Sequence, residues 1–366
     1  MVAQPGGDAG MIGHLAYPTG SPCPTLVLDA RVLPAHDEAL LEVLAQTRRF
    51  LAAAGGAHVL KIALVRPSEH PMFDLDYRFV QALPAGPDRF DLRGSCGHSI
   101  LSAVIAAERM GMVARLVAGG RIRVCVLNSG EGVVCEMDRV GRSDAVCTVY
   151  FMPRDAPRLT DLLMTGAPRT DLSVDGRHHE VSLVSSGNPY AFVDARDLGA
   201  HTPEELWKAD GELFARMSRL RAAATALLGW SPSGVFPKIA AVLPGGPSTV
   251  AVRAISVPSW HPTIALTGAV CLATTARIPG TIPHRIARAA GLAEAEPTLT
   301  IATPGGTTTA SAVTSPPGPG AVQTRLAWSA VGRKVVTHLG SFLAEPLAPR
   351  QDEEIARCLS LTATIA

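Results

Sequence analysis

The sequence predicts an α+β protein built from two similar halves, each a largely antiparallel sheet wrapped on a central helix. Two observations lead to this fold class. Four segments recur in the same order in the two halves of the 366-residue chain, which indicates duplication of one structural unit. The later part of each half, residues 115–183 and 296–348, is rich in Val, Thr and Gly at hairpin spacing, a pattern typical of antiparallel strands.

The first repeated segment is a short apolar strand that ends in the tripeptide Asp-Ala-Arg. Residues 21–31 read Ser-Pro-Cys-Pro-Thr-Leu-Val-Leu-Asp-Ala-Arg, and residues 186–196 read Ser-Gly-Asn-Pro-Tyr-Ala-Phe-Val-Asp-Ala-Arg. The serine, the second proline of the first segment and the final tripeptide align without a gap. A short apolar run bounded by turn-forming residues favours a buried strand.

The second repeated segment is an amphipathic helix. In the first half it is predicted over residues 37–54, with leucines on one side and two glycines after its end. In the second half it is predicted over residues 203–228, where Thr202 and Glu205 have the spacing of a capping box.

The third repeated segment is a strand that opens with lysine, at residues 61–67 and 238–244. The fourth is a glycine-marked turn into an Ala-rich helix, at residues 96–98 and 267–269. Because both halves carry the same elements, we expect the active site in the cleft between them.

The repeat predicts two domains, residues 1–183 and 184–366, with residues 1–15 as a flexible N-terminal extension. These first residues lack the basic start and apolar core of a signal peptide. The last strand of the second domain is free to pair back with the first half. Residues 314–320 are rich in Pro and Gly and predict a loop.

Composition excludes several classes of protein. Apolar residues make up 47% of the chain and charged residues 18%, so the chain is globular and not disordered. A net charge of +1 gives no basic face for nucleic acid, and no apolar run approaches the roughly 20 residues that cross a membrane. The seven cysteines are odd in number and have no metal-ligand spacing, which predicts free thiols in a reducing cytoplasm.

The strongest chemical signal is the segment Asp-Leu-Arg-Gly-Ser-Cys-Gly-His-Ser at residues 91–99. Cys96 comes immediately before a predicted helix over residues 100–110. Unpaired N–H groups and the helix dipole stabilise a thiolate at that place and lower the thiol pKa from about 8.5. A buried structural thiol is the alternative, but the flanking glycines, which let a carboxylate approach the same N–H groups, favour function.

Lys61 opens its strand between apolar residues. It is either a solvated strand end or a cleft residue that binds a carboxylate or exchanges a proton. In a cleft, burial would lower the pKa of Lys61 and a nearby thiolate would raise it. Lys238 holds the matching place in the second half and is predicted to be a substrate-carboxylate ligand or a structural cation.

The chain resembles the PrpF-type family of 2-methylaconitate isomerases, 4-oxalomesaconate tautomerases and methylitaconate isomerases, which has the diaminopimelate epimerase-like fold. The resemblance spans roughly residues 60–345 and ends near Arg333 in a degraded form of the family's Arg-rich closing helix. It implies two pseudo-symmetric halves, no metal, nucleotide or pyridoxal phosphate, and Lys61 and Cys96 as the catalytic pair. The segments that carry it are residues 61–65, 73–79, 96–98, 187–199 and 266–281.

The sequence departs from this family in two places. Residues 17–23, Tyr-Pro-Thr-Gly-Ser-Pro-Cys, stand where the family usually has Arg-Gly-Gly-Thr-Ser-Lys, so both cations of that loop are absent. Residues 95–98, Ser-Cys-Gly-His, stand where it has Asn-Cys-Gly-Asn. Fewer cations bind fewer carboxylates, so we expect a substrate that is not a tricarboxylate, from a specialised biosynthetic pathway.

One thiol and one lysine suit a cofactor-independent isomerase that catalyses a 1,3-proton shift, that is, double-bond migration or tautomerisation in an unsaturated acid. Racemases of this fold use two thiols, whereas the repeat places Thr267, a poor acid and base, opposite Cys96. Three alternatives stay open: a racemase or dehydratase of the same fold, a thiol hydrolase that pairs Cys96 with His98 or His261, and a non-catalytic ligand-binding protein.

The sequence therefore predicts Lys61 and Cys96 as catalytic residues, without metal or cofactor. The only predicted partner is a small unsaturated carboxylic acid, with no nucleic acid and no membrane, and a homodimer is left open. Backbone N–H groups at the two helix starts are expected to stabilise a dienolate. The predicted substrate-binding residues are Ser21, Ser95, Gly97, His98, Ser186, Asn188, Lys238, His261, Thr267, Gly268 and Ala269.

Overall fold

A similar series of strands and helices occurs twice along the chain. The computed structural model describes residues 11–208, 211–232, 234–315, 324–343 and 355–361. The first half contains β1 (Ile12–Pro18), β2 (Thr25–Asp29), α1 (Asp37–Ala53), β3 (Lys61–Pro67), β4 (Leu75–Ala82), β5 (Phe90–Asp91), α2 (Gly97–Arg109), β6 (Arg121–Val126), β7 (Glu131–Val140) and β8 (Asp144–Met152). The second contains β9 (Thr170–Val174), β10 (Arg177–Ser186), β11 (Asn188–Asp194), α3 (Pro203–Trp207), α4 (Gly211–Leu227), β12 (Lys238–Gly246), β13 (Thr249–Ser256), β14 (Ser259–Trp260), α5 (Leu266–Thr275), α6 (Ile282–Ala289), β15 (Thr298–Thr303), β16 (Gly306–Ser315) and β17 (Arg325–Leu343).

Strand pairing repeats between the halves as well. In the first half, β1–β2 is antiparallel, β2–β3 parallel, β3–β4 antiparallel, β4–β6 parallel, and β6–β7 and β7–β8 antiparallel. The same series of directions runs through β10–β11, β11–β12, β12–β13, β13–β15, β15–β16 and β16–β17. The predicted α+β fold class with two pseudo-symmetric, largely antiparallel halves is confirmed.

Strand β17 closes the first half into a barrel. It continues past its pairing with β16 to pair with β8 and β1, so that β1, β2, β3, β4, β6, β7, β8 and β17 form a closed ring. Helix α2 fills this ring and packs against β1, β2, β3, β4, β8 and β17. Residues 97–107 of α2 are all buried, as are all residues of α5 in the second half. The two central helices therefore position their N-terminal residues inside the protein.

The repeated Asp-Ala-Arg tripeptide has the same local structure in both halves. Asp29 ends β2, caps a turn of 3-10 helix through the backbone N–H of Arg31, and pairs with the Arg31 guanidinium. Asp194 ends β11 and makes the same contacts with Arg196. An aspartate in this position satisfies a free N–H group at a helix start, which explains why the motif marks the end of the strand twice.

The predicted limits of the halves need correction. Residues 12–15, assigned to the flexible extension, belong to β1, where Leu15 is fully buried between β2 and β17. The predicted boundary after residue 183 falls inside β10, which is equivalent to β1. The repeated segments found in the sequence begin just before β2 and β11. The strands that precede them, β1 and β10, were therefore not recognised as the start of each half.

The helix predictions have mixed outcomes. Helix α1 agrees with the prediction for residues 37–54, but residues 203–228 contain two helices, α3 and α4, and the second begins at Gly211, a poor helix former. The closing helix expected near Arg333 is strand β17 instead. In the loop predicted at residues 314–320, the first two residues belong to β16 and the others lie outside the described residues. No helix in the described part of the chain is long and apolar enough to cross a membrane.

Candidate active site

Lys61 is the first residue of β3 and is only 6% exposed. Parallel pairing with β2 places it beside Thr25. The ammonium group donates a hydrogen bond of 2.7 Å to the hydroxyl of Ser21, and that hydroxyl donates in turn to the carbonyl of Cys23. The loop between β1 and β2 therefore holds Lys61 in one place inside the protein.

Cys96 is the residue immediately before α2 and is 7% exposed. Its backbone is extended, with φ of −137°, and its carbonyl accepts the first hydrogen bond of the helix from Ile100. The Tyr77 hydroxyl donates to the same carbonyl at 3.2 Å. The sulfur thus lies at the N-terminus of α2, as the sequence predicts, where free N–H groups and the helix dipole favour a negative charge.

The surroundings of Cys96 favour its thiolate form. Burial raises the pKa of the thiol, but the positive charges of Lys61 and Lys238, together with the hydroxyl and backbone N–H of Ser99, lower it further than burial raises it. The Ser99 hydroxyl is itself 3.0 Å from that of Thr25. The net result is a thiol pKa below its ordinary value, in a group that is nearly closed off from solvent.

Lys238 is the first residue of β12 and approaches the same thiol from the second half. Its ammonium group lies 6.0 Å from the centre of the Phe236 ring. Burial, partly opposed by the Cys96 charge, lowers the pKa of Lys238 to about 8. Within the described residues this ammonium group has no hydrogen-bond partner, so it is free to bind an anion.

A narrow cavity between the two halves joins these groups. The first half contributes Lys61 and Cys96, and the second contributes Lys238 and His261. Among the described residues, no group of three His, Cys, Asp or Glu side chains could hold a metal ion. The remaining lining residues are Phe79, Gln81, Asp91, Gly94, Ser95, Val235, Phe236, Ser256, Val257 and Ala265.

Asn188 ties the halves together beside this cavity. Its amide group donates to the carbonyl of Ser95 at 2.8 Å and to the hydroxyl of Thr267 at 2.9 Å, and its oxygen accepts from the N–H of Ser95 at 3.3 Å. All three residues are buried. Asn188 and Thr267 therefore position the segment that leads into Cys96.

His98 and His261 form a stacked pair next to the lysines, with ring centres 5.9 Å apart. His98 is fully buried, and neither of its ring nitrogens has a hydrogen-bond partner within the described residues. Burial first, and then the charges of nearby lysines, lower the pKa of both imidazoles well below the ordinary value. In neutral His261, Nδ1 accepts the N–H of Thr263 at 3.2 Å, so Nε2 carries the proton and can donate.

Comparison with known proteins identifies the family. The family model described as "PrpF protein" matches residues 28–336. The chain belongs to the PrpF family. It is 28% identical to a 4-oxalomesaconate tautomerase of Pseudomonas putida over 70% of this chain and 76% of the relative, and 26% identical to a 3-methylitaconate isomerase of Eubacterium barkeri over 63% and 71%. A crystal structure of methylitaconate-delta-isomerase, 22% identical, covers 89% of this chain and 95% of its own with a TM-score of 0.62, which shows the shared fold.

The residue opposite Cys96 in this PrpF family member is Ala265, not Thr267 as expected from the sequence. Cys96 directly precedes α2, and Ala265 directly precedes α5. Thr267 lies within the first turn of α5, because that helix begins at Leu266 rather than after the predicted turn at residues 267–269. A methyl group cannot exchange a proton, so the second half supplies no thiol or hydroxyl at the position equivalent to Cys96.

The predicted site residues fall into three groups. Lys61, Ser95, Cys96, Lys238 and His261 line the cavity. A second group adjoins these residues by the contacts above: Ser21, His98, Asn188 and Thr267. A third group is packed between elements away from the cavity lining: Gly97, Ser186, Gly268 and Ala269.

Close packing explains the two glycines of the third group. A Cβ atom at Gly97 would lie 2.6 Å from the Cβ of Leu266, and one at Gly268 would lie 2.3 Å from the Tyr190 hydroxyl oxygen. Ser186 donates to the Thr274 hydroxyl at 3.3 Å. The glycines let α2 and α5 approach each other and the sheet. The sequence alone does not distinguish this packing role from a role in contacting the substrate.

The sequence analysis missed several residues that act on the site. Thr25 and Ser99 support the thiolate, and Tyr77 holds the start of α2. Two of them had a signal in the sequence: Thr25 lies in the repeated strand segment, and Ser99 is three residues into the helix that follows Cys96. Tyr77 had none, because a tyrosine in an apolar strand is usually part of the core.

Proposed function

We propose that this protein is an isomerase that moves a proton across the conjugated system of an unsaturated carboxylic acid, with Lys61 and Cys96 as the acid–base pair. The observation that carries the proposal is the shared cavity, which is lined by both an activated thiol and a fixed ammonium group. The names of the two relatives, an isomerase and a tautomerase, support the same reaction class.

The charges assign a direction to the proton transfer. The Cys96 thiolate removes an allylic proton, the electron pair moves into the conjugated system, and a dienolate forms. The ammonium group of Lys61 then donates a proton to the far carbon, which completes the double-bond shift. The thiol and the amine return to thiolate and ammonium when the proton on sulfur passes to the amine, so the cycle needs no cofactor.

Lys238 stabilises the negative charge of the dienolate. It lines the same cavity, comes from the opposite half and has no hydrogen-bond partner among the described residues. A preorganised cation in a site closed to water favours the anionic intermediate more strongly than it favours a neutral ligand. The substrate carboxylate is therefore placed against Lys238, with its reacting carbons between Cys96 and Lys61.

The alternatives fit this site less well. A two-base racemase needs a second acid or base at Ala265, where only a methyl group is present. A thiol hydrolase needs an imidazole that takes the thiol proton. Within the described residues, the ring nitrogens of His98 have no partner, and His261 Nδ1 accepts from the N–H of Thr263 rather than from the thiol. All seven cysteines are free thiols, which supports the prediction that the protein works in a reducing cytoplasm. Formation of a homodimer stays a prediction.

The test is exchange of solvent deuterium into a set of unsaturated mono- and dicarboxylic acids, followed by mass spectrometry. The wild-type protein is expected to label the allylic carbon of at least one acid. Cys96→Ser and Lys61→Met should each slow this labelling by at least about 100-fold. Cys125→Ser is the matched control, because that thiol lies outside the cavity lining. Labelling by Cys96→Ser at the wild-type rate contradicts the proposal.

A further inference from the structure

A second cavity lies between the two halves and shares no lining residue with the candidate active site. Its volume of about 320 Å³ is sufficient for a small molecule. The first half contributes the turn between β6 and β7 and the segment after β8. The second half contributes the turn between β10 and β11, Val270 of α5 and the start of β17. The proposed mechanism uses none of these residues.

Glu131 lines the second cavity from the inner face of the barrel. It is the first residue of β7 and is paired with Val126 of β6. Val126 and Val133 both belong to the core around α2. Because the side chains of a strand alternate between its two faces, Glu131 lies on the same face of β7 as Val133. An acid therefore occupies an inward position at the end of the barrel, beside core valines.

The carboxyl group of Glu131 has no positive partner within the described residues. The Ser129 hydroxyl donates to its Oε2 at 3.1 Å, and no described group donates to Oε1. Burial raises the pKa of Glu131 more than this hydrogen bond lowers it, and no cation of the described residues contributes. Arg154, at the rim, is exposed, and its Nη1 lies 3.7 Å from the position of a Cβ at Gly130. A shielded carboxylate without a counter-charge is unfavourable, so the second cavity favours a ligand that brings a cation.

The other walls of the second cavity define the kind of cation. Phe151, Val270 and Leu326 are at most 4% exposed and form apolar walls. Ser329 is 2% exposed, and its hydroxyl has no hydrogen-bond partner among the described residues. A free carboxylate oxygen, a free hydroxyl and apolar walls suit a primary ammonium group, which has three N–H donors, on a short apolar chain. A metal ion fits less well, because Ca²⁺ and Mg²⁺ take about six or more oxygen ligands, and the described residues contain no group of three His, Cys, Asp or Glu that could hold one.

The walls of the second cavity belong to both halves and adjoin the segment around Cys96. The Phe151 ring lies 3.2 Å from the position of a Cβ at Gly97, the residue after Cys96. Gly187 directly precedes Asn188, which donates to the segment before Cys96. A molecule that contacts both walls binds only when the two halves are folded together, so its binding stabilises the folded protein.

We infer that the second cavity is a binding site for a small molecule with a primary ammonium group on a short apolar chain. The ammonium group binds the Glu131 carboxylate and the Ser329 hydroxyl, and the chain packs against Phe151, Val270 and Leu326. This site goes beyond the proposed function and does not depend on it, because the two cavities have no lining residue in common.

The experiment compares two molecules that differ in one group. The probes are n-butylammonium and n-butanol, which has a hydroxyl in place of the ammonium group. Titration of the full chain, followed by saturation-transfer NMR of the probe, should show wild-type protein binding n-butylammonium at least about tenfold more tightly than n-butanol. Glu131→Gln should remove that preference and leave n-butanol binding unchanged, and Glu131→Asp should keep part of it. Glu69→Gln, the same substitution at an exposed acid, should change neither affinity.

Two results overturn the site: wild-type protein that binds neither probe or shows no preference, and Glu131→Gln with the wild-type preference. Thermal unfolding checks the fold, and Glu131→Gln is expected to unfold at the same or a higher temperature, because Ser129 can still donate to the amide oxygen. Ser185→Met is a second variant that places a longer side chain in the second cavity. It should weaken the binding of both probes by at least about tenfold, and unchanged affinities in this variant would place the binding elsewhere and overturn the inference.

Discussion

At the scale of single residues, the proposed chemistry depends on a thiol whose pKa is lowered by two lysines from different halves. Burial alone would keep Cys96 neutral, since a buried thiolate without counter-charges is unfavourable. Lys61 and Lys238 reverse that effect. Two cations that the fold brings together from strands far apart in sequence thus favour the thiolate form of this buried sulfur.

Removing one of these cations should therefore raise the thiol pKa. In Lys238→Met, we expect Cys96 to become reactive toward iodoacetamide at a higher pH than in the wild-type protein. The reason is that iodoacetamide reacts with the thiolate, which forms only as the pH approaches the thiol pKa. Mass spectrometry of the modified peptide against pH measures this shift. Lys208→Met, a change of an exposed side chain, should give the wild-type profile. An unchanged profile in Lys238→Met would show that Lys238 does not act on the sulfur.

A second residue-scale prediction concerns Asn188, which joins the two halves behind Cys96. Asn188→Ala leaves the buried N–H and carbonyl of Ser95 and the hydroxyl of Thr267 with fewer partners. Unsatisfied buried groups cost about 1–3 kcal/mol, and we expect that loss in the free energy of unfolding measured with urea. Asn188→Ser should lose less, since its hydroxyl can still bond. Equal stability of Asn188→Ala and wild type would contradict this role.

At the scale of elements, the two central helices depend on glycines for their close approach. Gly268→Ala places a Cβ 2.3 Å from the Tyr190 hydroxyl oxygen, and overpacking of this kind costs about 1–3 kcal/mol. Gly211→Ala is the control, because a Cβ at the start of α4 meets no atom of the described residues within 4 Å. Urea unfolding should show destabilisation for the first and none for the second. A neutral Gly268→Ala would show that α5 can shift freely.

The elements also show what the sequence can and cannot predict. Local patterns predicted the strands that open with lysine, the helix after Cys96 and the apolar strands that end in Asp-Ala-Arg, because each depends on neighbours in the chain. For the last strand, the sequence left open a pairing back with the first half. That β17 pairs with β1 as well as with β16 depends on distant partners, about which local propensity carries no information.

At the scale of the whole molecule, the closure of the barrel places neutral histidines at the seam between β1 and β17. The Ser341 hydroxyl lies 2.8 Å from His14 Nδ1 and 3.3 Å from His338 Nε2. Burial lowers the pKa of both imidazoles, that of His338 to about 4, with the charges of His14 and Arg109 adding to the effect on His338. His98 and His261 at the active site are neutral for the same reason.

Histidines that are neutral in the folded protein make its stability fall in acid. Below the unfolded pKa of about 6.5, the unfolded chain binds protons that the folded chain does not, so the free energy of unfolding decreases as pH falls from about 7 toward 4. Urea unfolding across this range should show the decrease, and His338→Gln should reduce its slope because one group with a shifted pKa is removed. His36→Gln is the control, since that side chain is exposed and should leave the slope unchanged. A slope in His338→Gln equal to that of the wild type would show that the seam takes up its proton without unfolding.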